Sequence, residues 1–149
     1  MLKSVFAISA ATLAAAGVLT GGSIASAAPA AAAVSCPHNG GDSLHFTGKY
    51  VQRSTTLNGL TIKLMDGYNP ADGKQYAWTY VQNASANDQA WVAYSTNSGS
   101  SYIQCGRVYV TSAGAFYTDA FQTSSSSSVA MKGCAEDVSA NTSKCTTKW

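Results

Sequence analysis

Asp66, Asn69 and Asp72, in the stretch "DGYNPADG", put three oxygen-bearing side chains at a spacing of three. A helix–loop–helix calcium loop places its oxygens at every second position instead. The spacing of three, with Pro70 in the middle, fits a turn in which Asn and Asp side chains cap backbone N–H groups. Cys36 and His38 form a C-x-H pair, but Cys105, Cys134 and Cys145 lack the close C-x-x-C spacing of zinc sites. No metal and no cofactor is expected.

The residues for hydrolysis are present as types but not as patterns. Serines are plentiful and His38 and His45 are available, yet no G-x-S-x-G occurs. Glycoside cleavage needs two carboxyls flanking a cleft. Glu136 and Asp137 are neighbours on one segment, and adjacent side chains of an extended segment point apart. Glu136, His45 and Arg107 supply the types of a small ribonuclease without a diagnostic spacing. The sequence therefore names no catalytic residue, and the expectation is a non-catalytic protein.

Whatever these residues do, the ends of the chain set where they do it. Lys3 precedes an apolar run over residues 5–19, and Ala25, Ser26 and Ala27 form a small-x-small cleavage site. This is the pattern of a secretory signal peptide over 1–27. The run is shorter than the roughly 20 residues a spanning helix needs, and Gly21 and Gly22 interrupt it. No membrane insertion of the mature form is expected. Ala33 offers a second cleavage point, and residues 28–41 read as a flexible Ala/Pro-rich segment ahead of a single β-domain over 42–149. Nine Lys and Arg stand against seven Asp and Glu, and the basic residues are scattered singly. Without a basic stripe to track phosphates, nucleic acid is not an expected partner.

Four cysteines in an exported chain read as two disulfides. Three pairings are open. Cys105 with Cys134 would tie two late strands, and Cys36 with Cys145 would tie the two ends of the domain; this pairing is the one expected.

The elements are short and β-like. In "QYAWTYVQ", Tyr76, Trp78 and Tyr80 alternate with Ala77, Thr79 and Val81, and "GLTIKLMD" alternates in the same way. Period two is the strand signal. Turn residues separate the runs every eight to twelve positions or so, which favours a small antiparallel β-sandwich, or a partly open barrel, braced by two disulfides. "AEDVSAN", near the C-terminus, is the one weak helix candidate. Trp78 and Trp91 sit mid-strand and are expected in the core, each indole N–H bonded to a carbonyl or hydroxyl.

"YSTNSGSSYIQCG", residues 94–106, reads as a hairpin with its tip at Asn97, Ser98 and Gly99. Its residues Ser95, Asn97, Gly99, Ser101 and Tyr102 resemble the Asp-box, S-x-D-x-G-x-T-W, with Asn97 for the Asp, Ser101 for the Thr and Tyr102 for the Trp. The resemblance implies a hairpin-stabilising feature rather than a catalytic one. Tyr102 is expected to re-enter the sheet near Trp91. The chain is too short for the multi-bladed propellers that carry such boxes. "KQYAWTYV" with "NDQAWVAYSTNSGSSYIQCG" is similar to small exported actinomycete proteins of unknown function, and "GLTIKLMDGYNPADGKQ" is more faintly similar to spore-associated secreted proteins of those bacteria. Neither resemblance carries catalytic residues.

The function expected is that of a small secreted, extracellular or cell- or spore-surface protein with a structural or binding role. The alternative is a carbohydrate-binding module gripping cell-wall or other polysaccharide with exposed rings, for which Tyr94 and Tyr117 are the candidate contacts. A protease inhibitor built on the loop "CAEDVSANTSKC" is a further class, with no residue marking a reactive bond. Asn83 and Asn141 stand in formal N-glycosylation sequons, and residues 123–128 are a serine-rich low-complexity loop.

Overall fold

Alternating apolar and polar residues bury one face of a strand and wet the other. In the computed structural model, which describes residues 34–149, they form ten strands. The leader expected over 1–27, and residues 28–33, lie outside the described residues. The strands are β1 (Asn39–Gly41), β2 (Thr47–Leu57), β3 (Leu60–Tyr68), β4 (Gln75–Ala84), β5 (Gln89–Ser95), β6 (Ile103–Tyr109), β7 (Gly114–Tyr117), β8 (Ala120–Gln122), β9 (Ala130–Asp137) and β10 (Thr142–Cys145). They make two antiparallel sheets that do not close into a barrel. Sheet A has the order β1-β8-β4-β3-β2, with β7 also paired to β4; sheet B has the order β10-β9-β5-β6.

Leu60, Ile62 and Leu64 of β3 and Ala77, Thr79 and Val81 of β4 face sheet B, where Ala90, Val92, Met131 and Ala135 meet them. Thr79 is fully buried, and its Oγ1 donates across the gap to the Trp91 carbonyl at 2.7 Å. The sheets approach closely at Gly133, where an added Cβ would lie 3.1 Å from both the Leu64 nitrogen and the Lys63 carbonyl oxygen.

The segment after the Gly114 turn splits into β7 and β8, because Thr118 and Asp119 interrupt the pairing to β4. Thr118 patches the gap: its N–H donates to Thr79 O at 3.0 Å, and its Oγ1 accepts from Thr79 N–H at 3.1 Å. β6 continues through Gly106, where its pairing to β5 shifts register between Ala90 and Val92. "AEDVSAN" is not a helix: it completes β9 and turns into β10, and a strand whose N–H groups already pair with β5 has none left for a helix.

The ordered domain starts earlier than residue 42. Cys36 is disulfide-bonded and β1 pairs with β8, so the distal part of the segment expected to be flexible is held in the fold. Residues 43–45 form a 3-10 turn, capped by Asp42 Oδ1 accepting from Leu44 N–H at 2.8 Å.

The disulfides are Cys36–Cys105 and Cys134–Cys145. The expected pairing fails for a geometric reason. Strand β5 lies between β6 and β9. Cys105 is opposite Val92, facing sheet A, whereas Cys134 is opposite Trp91, on the outer face. Two strand spacings, about 9.6 Å, and opposite faces put Cys105 and Cys134 beyond the Cα reach of a disulfide, about 7 Å. Two disulfides in a domain this small fit an oxidising compartment.

Tyr76 shows how the outer face of sheet A is sealed. Gly40 lies so close to its ring that an added Cβ would be 2.6 Å from it, and Phe46 meets it edge-on at 5.4 Å between centroids. The hydroxyl donates to Asp72 Oδ2 at 2.6 Å. Burial, and then the Asp72 carboxylate, push the Tyr76 phenol up to about 12. The same hydrogen bond, with the Lys74 backbone N–H, holds Asp72 below its usual value. A phenol with a raised folded-state pKa contributes stability that is intact below its unfolded value, near 10, and is lost as pH rises through about 12. Tyr76→Phe should therefore melt lower at neutral pH, and the gap to wild type should narrow between pH 10 and 12. Thermal scans across that window check this; a constant gap would contradict it.

Candidate functional site

Strand parity decides where the aromatic residues go. With Ala77, Thr79 and Val81 facing sheet B, Tyr76, Trp78 and Tyr80 must lie on the outer face of sheet A. Trp78 is 3% exposed there, packed edge-on against Phe46 at 5.8 Å between centroids and resting over Gly67. Trp91 is 5% exposed on the outer face of sheet B, beside Cys134 and under the Arg107 guanidinium, 4.6 Å from its ring centroid. Both tryptophans are buried, but neither lies between the sheets. Neither indole N–H donates to another described residue. The expected bond to a carbonyl or hydroxyl is therefore not made among the described residues.

The outer face of sheet A is not covered throughout. The turn at Ser43–His45 and the β7 strand stop short of each other, and a groove of about 390 Å³ opens between them. Trp78 and Met65 form its floor, Tyr80 and Tyr117 one wall, and Leu44 and Lys49 the other. Tyr80 and Tyr117 are directly opposed in register and both are half-buried. Lys63 Nζ sits 5.8 Å from the Tyr80 ring centroid, and Lys49 Nζ donates to Leu44 O at 2.8 Å. Burial, then the neighbouring Asp42 carboxylate, raise the Tyr117 phenol above its usual value. It therefore stays a neutral donor throughout the physiological range.

The two tyrosines picked from the sequence separate. Tyr117 lines the groove. Tyr94 is only 9% exposed and packs among Leu64, Val92 and Met131 between the sheets, so it is a core residue and not a ligand contact. Its strand position predicts this once parity is fixed, because Tyr94 follows Ala90 and Val92 at period two. Leu44, Lys49 and Met65 were not singled out by sequence. Only Met65 carried a signal, lying on the same face as Trp78, its partner in register.

The remaining candidates are scattered. Arg107 and Glu136 both neighbour Gln89 on sheet B, with Arg107 Nη1 donating to Gln89 Oε1 at 2.7 Å. His45 belongs to the turn over the outer face of sheet A, so the three are not brought together. In "DGYNPADG", Asn69 Oδ1 accepts from Ala71 N–H and Asp72 Oδ1 from Lys74 N–H, each at 3.0 Å, as turn caps between β3 and β4.

The 94–106 segment is a hairpin. Asn97 Oδ1 accepts from Ser95 Oγ at 2.8 Å and Ser101 N–H at 3.0 Å, while its Nδ2 donates to Ser101 Oγ at 2.9 Å. Ser95 Oγ accepts from Gly99 N–H at 3.0 Å. Tyr102 packs on the Trp91 cluster, and Lys132 Nζ lies 4.3 Å from its ring centroid. Gly99 has φ +88°, and an added Cβ would lie 2.5 Å from the Tyr102 hydroxyl. Gly99→Val should cost about 1–3 kcal/mol, read as a lower urea midpoint; an unchanged midpoint would count against a rigid tip.

No family model, curated protein or solved structure matches this chain.

Proposed function

We propose that the protein is an exported, non-catalytic glycan-binding protein that holds a sugar unit of an extracellular polysaccharide in the groove on the outer face of sheet A. The observation that carries this is the pairing of Tyr80 with Tyr117 across two hydrogen-bonded strands, over the Trp78 floor. Half-exposed rings on a rigid sheet offer flat apolar faces to a sugar at little entropic cost. Their hydroxyls, with Ser43 and Lys49 nearby, supply directional hydrogen bonds. The two disulfides support export, as does the signal-like N-terminus.

The test is retention of the oxidised protein on insoluble chitin, cellulose and peptidoglycan. Tyr117→Ala should weaken binding about tenfold, equivalent to about 1.4 kcal/mol. Retention of wild type on none of the three polymers would refute the reading. Tyr94→Ala is not an equivalent probe, because it truncates a core residue.

A further inference from the structure

The face of sheet A that packs on sheet B continues past the end of sheet B's cover. Leu60, Ile62 and Leu64 are buried against sheet B, and Asp66 and Tyr68 continue the same series. Asp66 is still buried, but Tyr68 is 47% exposed. Tyr50, opposite Asp66 in register, is 63% exposed. The two rings stand on either side of Gly48: a Cβ there would lie 3.5 Å from Tyr68 and 3.8 Å from Tyr50. They form an aromatic ledge on the paired strands β2 and β3.

Beside the ledge lies a fixed polar network. Asp66 Oδ1 accepts from Gln52 Nε2 at 2.9 Å, and Oδ2 accepts from Gln75 Nε2. A carboxylate only accepts, so both glutamines must turn their NH2 groups to Asp66 and their carbonyls away from it. Thr123 Oγ1 reaches Gln75 Oε1 at 3.3 Å. The side-chain oxygen of Gln52, Oε1, has no donor among the described residues and is not one of their buried orphans. Next to Gln75 a hollow of about 290 Å³ adds the hydroxyl-bearing Thr123, Ser124 and Ser125, with Trp149 at its side. From Tyr50 on β2, through β3 and β4 to Thr123 after β8, the row crosses three strand spacings, about 14 Å. That suits a run of sugar units, not one.

We propose that this ledge and hollow are a second glycan site, for a neutral polysaccharide chain. Sugar faces stack on Tyr50 and Tyr68, and hydroxyls donate to Gln52 Oε1 and exchange hydrogen bonds with the serine-rich rim. The Asp66 carboxylate disfavours an anionic chain, and it offers no open partner to a cationic one, because it is buried with both oxygens bonded to glutamine amides. The neighbouring cation, Arg53, is already committed to the main-chain carbonyls of Lys148 and Gln52 at 3.2 and 2.6 Å. The inference rests on the glycan-binding reading above. It adds that the two sites lie on opposite faces of sheet A, so that one molecule holds two chains and bundles them.

The experiment uses dispersed cellulose and chitin fibrils, with polygalacturonate as the anionic control. Affinity is read by depletion and bundling by turbidity. The Tyr50→Ala/Tyr68→Ala double variant should bind at least tenfold more weakly and fail to bundle. Its melting temperature should stay near wild type, because both rings are exposed. Tyr117→Ala should also fail to bundle, yet keep the binding due to the ledge. A double variant that binds and bundles like wild type overturns the second site and leaves the groove standing. So does loss of all retention in Tyr117→Ala alone. Tighter binding to polygalacturonate than to cellulose and chitin overturns the neutral ligand. Absence of wild-type binding to any fibril removes both sites together.

Discussion

Removing the Cys36–Cys105 bridge, as Cys36→Ala with Cys105→Ala, should cost more stability than removing Cys134–Cys145 in the same way. The sequence separations are 69 and 11. On the chain-entropy model these loops correspond to about 4 and about 3 kcal/mol. The native structure widens the difference. Cys134 and Cys145 sit opposite each other on hydrogen-bonded strands, which stay paired through Thr146 and Trp149 without the bridge. Cys36 lies just ahead of the short β1, and its bridge holds His38 and Gly40 against Tyr76. Losing it frees the strip that seals the outer face of sheet A. Urea unfolding of the two double variants should give the lower midpoint for the first pair. The reverse order would mean that the N-terminal strip docks independently of its disulfide.

Period two was enough to place most strands, because β3, β4 and β5 each bury one face under the opposing sheet. What periodicity does not contain is which face that is. Tyr76, Trp78 and Tyr80 form the more aromatic stripe, yet the small residues Ala77 and Thr79 take the position between the sheets. The reason is space: the rings of Tyr94 and Phe121 already cluster with Ala77 between the sheets, and Gly133 brings sheet B against the β3 backbone beside Leu64. The bulkier stripe goes outward and is covered by the chain's own N-terminal turn. The cysteine pairing was illegible for the same reason. It depends on the face that Cys105 and Cys134 each present, and on β5 lying between them.

The site was legible in part. Tyr117 was picked out as an exposed candidate ring, and it lines the groove. The ledge did not stand out. Tyr50 and Tyr68 lie far apart in sequence and meet only through the irregular pairing of β2 with β3, where the register shifts between Thr47 and Tyr50. A shift of one residue exchanges the two faces of a strand, so no pattern in β2 alone could have placed Tyr50 beside Tyr68. The hairpin at 94–106 was the easiest to read, because Ser95, Asn97 and Gly99 act within one turn and need no distant partner.

Trp78→Ala should be among the most damaging single substitutions, at about 3–5 kcal/mol. The side chain is almost fully enclosed, by Phe46 on one side, Gly67 beneath, and Met65 and Ala120 around it. Of these, only Met65 has a side chain flexible enough to relax into the void. Gly67 has no side chain, and Phe46 is held by its backbone N–H bonding to Ser43 O at 3.1 Å. Yet the cover is a short turn rather than a second sheet. If that turn peeled away before the sandwich unfolded, the indole would already be solvated in the native ensemble and its loss would cost little. The two cases separate in urea melts of Trp78→Ala and Phe46→Ala. Losses of several kcal/mol in both, with an unchanged slope, make the turn part of the cooperative unit. A Trp78→Ala cost below about 1 kcal/mol, the size of an ordinary surface change, would detach the turn from the fold. The groove it walls would then have no fixed shape for a sugar to recognise.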